Sequence, residues 1–94
     1  MTNSEKLIDL MEEQRDKLKL RAEDMAKVLG VSRITYYKWR KSGIVRLTTL
    51  AGVEATLRKI TRIMRDHNWP TGPEMSIAPE QRTERLILLL DLYK

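Results

Sequence analysis

An all-α domain of four to five helices is the fold this sequence predicts, and two observations predict it. Apolar residues recur at intervals of three and four over most of the chain, as a helix of 3.6 residues per turn requires. Glycine, serine and proline stand where such helices begin and end.

The first helix is expected over residues 3 to 18, where Thr2 and Glu5 have capping-box spacing and Leu7, Met11, Gln14 and Leu18 form one stripe. That stripe should cover the segment that follows. From residue 22, Met25, Ala26 and Leu29 share a face while Glu23, Asp24 and Lys27 fall elsewhere. Gly30 ends this helix, because only glycine takes the left-handed C-terminal conformation without steric cost. Val31 follows as an apolar plug, and Ser32 can accept from the free N–H groups of a third helix. On that helix, counted from Arg33 at zero, Trp39 and Tyr36 lie at roughly 240° and 300°, whereas Arg33, Tyr37, Lys41, Ile34 and Lys38 fill an arc of about 140°. One face is aromatic and inward; the other is a reading surface.

After Gly43, Leu50, Val53, Leu57, Ile60 and Met64 make a seam spaced 3, 4, 3 and 4, with Arg58, Lys59, Arg62 and Arg65 mostly off it. A fourth helix is expected near residues 47 to 67, packed on the first three; about two heptads are too few for a coiled coil. Residues 68 to 78 hold two prolines and a glycine without helical period, and read as a linker or folded-back loop. Pro79 suits the first position of a last helix, expected to about residue 93, with Glu80 and Glu84 near its N-terminal end. Leu86 to Leu90 run consecutively, followed by Leu92 and Tyr93, so apolar groups surround the axis and need cover on more than one side. Leucine content favours helix over the alternative, an exchanged β-strand.

Composition narrows the classes. Ninety-four residues make one small domain with a modest core and no room for a separate effector-sensing domain. With no cysteine, disulfides, zinc knuckles and thiol catalysis are out. No apolar run approaches the roughly 18 residues of a membrane span, so a cytoplasmic protein is expected. Net charge is +5, but residues 15 to 65 hold fourteen Lys/Arg against four acids, a balance of +10, and both flanks are net acidic. Positive charge is concentrated where phosphate neutralisation would use it.

Residues 20 to 43 resemble the helix-turn-helix of the Cro/phage-repressor (XRE-like) family, and the similarity extends more loosely over 5 to 65. Met25, Leu29, Val31, Tyr36 and Trp39 stand at that motif's apolar core positions, Ala26 at the small residue where its helices cross, and Gly30 at its turn. Arg15 stands where the family commonly has an arginine in its first helix, and Arg21 where it usually has a Thr or Ser cap. The resemblance implies a small lambda-repressor-like domain at 1 to 67, with its motif at 22 to 41, reading double-stranded DNA through the major groove. Arg33, where the family often contacts bases, is then the candidate for a guanine O6/N7 edge, Ile34 for a thymine methyl, and Tyr37 for a base or phosphate. Ser32 and the N–H groups around it are expected at a phosphate, Lys38 and Lys41 on the backbone, and Arg21 and Lys27 on the flanking backbone.

One recognition helix reads three or four base edges, too few to select a site in a genome, so a homodimer on a palindrome is expected. The helix at 79 to 94 would supply the interface through Leu86, Ile87, Leu89, Leu90 and Tyr93. Enzymatic activity has little support: His67 is the only histidine, and no Gly-rich phosphate loop is present. No cofactor or metal is implied. A transcriptional repressor is therefore the leading expectation, with a small phage-type activator as its variant. An antitoxin or a phage inhibitor of a host complex, using the motif as a scaffold and the last helix as its grip, is the alternative from another class.

Overall fold

Two residues in the left-handed region separate the first three helices. In the computed structural model, which describes residues 3 to 93, α1 (Asn3–Leu18) closes at Lys19, whose φ is 54°. Leu20 N–H bonds back to Arg15 O and Lys19 N–H to Asp16 O, satisfying carbonyls that the helix end would leave open. α2 (Ala22–Leu29) ends the same way at Gly30, φ 74°, with Val31 N–H on Ala26 O. The capping role expected of Thr2 lies outside the described residues.

α3 (Arg33–Ser42) starts at Ser32, whose hydroxyl accepts from Thr35 N–H at 3.1 Å, and ends at Gly43, φ 73°. α4 (Leu47–Asp66) buries Val53, Leu57 and Ile60 of the expected seam, together with Ile63; Leu50 and Met64 are half-buried at its edge. It packs along α1, where Gln14 donates to Leu57 O at 3.1 Å and to Thr61 Oγ1 at 2.7 Å. Residues 68 to 78 are not wholly irregular: a single turn, α5 (Gly72–Met75), starts at Thr71, whose N–H and hydroxyl both reach Glu74. Four residues are too few to leave a periodic signal. Trp69 is buried, so this segment folds back onto the core.

α6 (Pro79–Leu92) is a helix, and among the described residues there is no strand. It packs against α2 and α4, so the expected boundary between a domain at 1 to 67 and a separate C-terminal helix is crossed by one continuous core. Arg82 is the bolt. Its buried guanidinium donates to Leu18 O at 2.9 Å, Lys19 O at 2.8 Å and Ile77 O at 3.1 Å, completing the end of α1. The described residues thus form six helices around one core, and none of the helices is long and apolar enough to cross a membrane.

Candidate nucleic-acid interface

α3 is held from below by two aromatic side chains and one carboxylate. Tyr36 and Trp39 are buried, as their shared arc predicts, with Met25 and Ala26 of α2 in the same core. Tyr36 donates its hydroxyl proton to Glu12 Oε2 at 2.7 Å, and the other carboxylate oxygen pairs with Arg40 Nε at 2.7 Å. Arg15 Nε reaches Glu12 Oε2 as well, at 2.8 Å. Burial pushes the Glu12 carboxyl up, but the hydrogen bonds from Tyr36 and Arg15 and the charges of Arg15 and Arg40 outweigh it and hold it below its ordinary range. The same burial, and the neighbouring carboxylate, push the Tyr36 phenol upward, so it stays a neutral donor.

Above this floor the expected reading arc is open. Ser32, Arg33, Ile34, Tyr37, Lys38 and Lys41 are all exposed, on a helix whose opposite face is fixed. The Arg40 guanidinium, itself pinned by Glu12, lies 5.7 Å from the centre of the Tyr37 ring and braces it. The partner of Arg40 comes from α1, which spacing within α3 does not show.

Charge pairing divides the cations into two groups. Arg15, Lys17, Arg21, Arg40, Arg58, Arg65 and Arg85 each meet a carboxylate. Among the described residues, Lys6, Lys19, Lys27, Arg33, Lys38, Lys41, Arg46, Lys59, Arg62 and Arg82 meet none. Five of these, Lys27, Arg33, Lys38, Lys41 and Arg46, lie on α3 or on the segments either side of it, and an anionic partner there would meet charge that no acid of the chain neutralises. Arg46, not singled out from the sequence, joins Lys38 on a groove of about 560 Å³ between α3 and the start of α4, with Thr35, Ser42 and Thr49 supplying hydroxyls. The signal was available: Arg46 sits at the N-cap of α4, away from any acid in sequence.

Arg21 is engaged by acids of its own chain. Its Nε and Nη2 form a two-pronged pair with Asp24 at 2.8 and 3.0 Å, Nη2 also reaches Glu80 at 2.6 Å, and Glu23 lies at 3.5 Å. Its backbone N–H donates to Asp24 Oδ2 at 3.1 Å, so Asp24 rather than a Ser or Thr organises the first turn of α2. Three carboxylates thus lie around this guanidinium, which is still 46% exposed. Hydrogen bonding from Arg21, partly offset by burial, holds the Asp24 carboxyl below its ordinary range.

On α6 the expected interface set divides. Leu86 is fully buried within its own chain and offers nothing to a second subunit, a correction that follows from α6 packing inward on α2 and α4. Ile87, Leu89, Leu90 and Tyr93 are half-buried against the same core. Tyr93 is further engaged: its hydroxyl bonds to Asp66, its ring meets His67 edge-on at 5.9 Å, and Arg62 lies 5.0 Å from its centre. The outward residues are Leu88 and Leu92, 63% and 80% exposed, beside a cleft of about 320 Å³ lined in part by Trp69, Leu89 and Arg85. A run of five apolar residues has no period from which to choose its outward members, so the sequence could not select them.

Among the described residues no group of three or more His, Asp or Glu side chains is placed to hold a metal ion. Comparison with protein-family models, with curated proteins and with solved structures finds no match for this chain.

Proposed function

We propose that this chain is a sequence-specific DNA-binding transcriptional regulator of the Cro/phage-repressor kind, acting as a dimeric repressor on a palindromic operator. The observation that carries the reading is the outer face of α3. Unpaired Arg33, Lys38 and Lys41 stand there beside exposed Ile34 and Tyr37, on a helix clamped by buried Tyr36 and Trp39. A rigid helix with side chains of this chemistry matches what a major groove offers: guanine acceptors for Arg33, a thymine methyl for Ile34, and phosphates on either side for the lysines. Ser32, one turn from those groups at the N-terminus of α3, and Lys27 on α2 add contacts to the strand. The work of such a protein places it in the cytoplasm, at the nucleoid.

Dimerisation is assigned to the outward residues of α6, Leu88 and Leu92, supported at the edges by Ile87, Leu89 and Leu90. These same residues favour a second reading, an interaction protein such as an antitoxin, because DNA contact alone gives no reason for two exposed leucines one turn apart. Selection of bound duplexes from a random pool, with light scattering on the same sample, tests both. A palindromic consensus recovered by a dimer supports the regulator; random duplexes with steep salt dependence, or no duplex at all, overturn it.

A further inference from the structure

Exposed large apolar side chains fall in two patches. Ile34, Tyr37, Ile44 and Leu47 lie on α3 or just past it, while Met75, Leu88 and Leu92 lie on α5 and α6. Ile34 and Tyr37 belong to the reading arc already described. Ile44 and Leu47 do not: they sit in the turn after Gly43 and at the first position of α4, 68% and 85% exposed. Two such side chains so close together leave hydrocarbon in water that burial would otherwise remove, and exposed apolar surface of this kind marks a contact.

Charge identifies what covers it. Ile44 lines the same groove as Lys38 and Arg46, with Thr35, Ser42 and Thr49, and neither cation is paired. The Glu5 side chain packs beside Gly43. A second copy of the chain related by a two-fold axis here would set Arg46 against Arg46. No such conflict holds at α6, where Glu84, Arg85 and Asp91 offer both signs around Leu88 and Leu92. An apolar corner ringed by unpaired cations fits a polyanion that also carries hydrocarbon, which describes duplex DNA with its thymine methyls and deoxyribose rings.

We propose that Ile44 and Leu47 form an apolar contact to DNA beyond the end of the recognition helix, packing on thymine methyl or deoxyribose at the rim of the groove that α3 enters. This rests on the DNA-binding reading and extends its footprint past the bases reached by Arg33 and Ile34. Because the contact is uncharged, it adds affinity without releasing counterions.

The test uses the full chain and the duplex it selects. Ile44→Ala and Leu47→Ala, both exposed and so compatible with an unchanged fold, are compared with the wild type by binding titrations across a range of salt. Each is expected to weaken binding by about 3- to 10-fold, in line with the loss of roughly one to two methyl-sized contacts, with the slope of log K against log salt and the oligomeric state unchanged. Replacing thymines by uracil in the selected site then separates the sources. A uracil penalty that vanishes in the variants assigns the methyl, and variants weakened equally on both duplexes assign the sugar. Unchanged affinity in both variants overturns the inference while leaving the DNA reading intact, as does a weakening that accompanies a fall to monomer. A wild-type chain that selects no duplex overturns both.

Discussion

The Tyr36 hydroxyl and the Glu12 carboxylate, 2.7 Å apart, join the floor of α3 to the middle of α1. A buried donor and a half-buried charge satisfy one another, and the helix that carries the exposed arc cannot tilt without separating them. Glu12 extends the same hold to Arg40, and through Arg40 to the ring of Tyr37. A single carboxylate thereby links the buried floor of α3 to the exposed ring of Tyr37.

Tyr36→Phe removes the donor and leaves Glu12 with fewer partners, so it is expected to cost about 1–2 kcal/mol of folding stability in urea titrations. The pH dependence has a defined sign. Glu12 and Asp24 both titrate below their ordinary range in the folded chain. Their stabilisation is therefore complete above the unfolded carboxylate values, at about pH 4, and is lost as pH falls through the lower folded values. The urea midpoint should drop between pH 7 and pH 3, and Glu12→Gln should flatten that drop. An equally steep drop in the glutamine variant would contradict the assignment.

Arg33 and Lys41 share the exposed arc but have different expected roles. Arg33→Ala should weaken specific binding by about 1–3 kcal/mol and relax one base position in a selection experiment. Lys41→Ala should lower affinity for every duplex alike and reduce the salt slope by about one counterion. An unrelaxed consensus in the first, or a loss confined to one base pair in the second, would reverse these roles.

Arg21 provides a contrast on α2. With its guanidinium held by Asp24 and Glu80, Arg21→Ala should leave the salt slope of DNA binding where it is and register instead as reduced helix content and thermal stability. Circular dichroism and a binding titration measure the two effects, and a shallower slope would show that the arginine leaves its carboxylates to meet phosphate.

Leucines two positions apart on α6 should behave oppositely. Leu86→Ala opens a cavity in a packed core and is expected to cost about 2–5 kcal/mol. Leu88→Asp, on the solvent side, should leave the urea midpoint nearly unchanged while lowering the mass seen by light scattering. A Leu88→Asp chain that remains dimeric would remove α6 from the interface.

Most of the helical boundaries were legible because local chemistry sets them. Ser32, Gly30 and Pro79 act on their immediate neighbours, and the seam of α4 repeats often enough for its period to show. What escaped was tertiary. Arg82 stands in line with Leu86 and Leu89 on α6, but spacing within one helix does not show that its guanidinium is buried to supply donors to the carbonyls of Leu18 and Lys19 at the end of α1 and of Ile77 before α6. Glu80 could not be foreseen as a partner of Arg21 across the whole motif, nor Glu12 as the anchor of Arg40. The reading arc was recoverable for the same reason as the boundaries: angle around one helix depends only on spacing. Which of its neighbours stay unpaired depends on the packing of the other helices.

Arg82 also sets an order of events. Its bond to Leu18 O spans 64 positions, so the carbonyls that close the first helix stay hydrated until the last helix arrives, and closing so long a loop carries an entropic cost. During synthesis the N-terminal segments emerge first, with the seat of α6 on α2 uncovered. The Leu18 and Lys19 carbonyls gain their side-chain donors only when the last helix docks, so its displacement would loosen the end of the first.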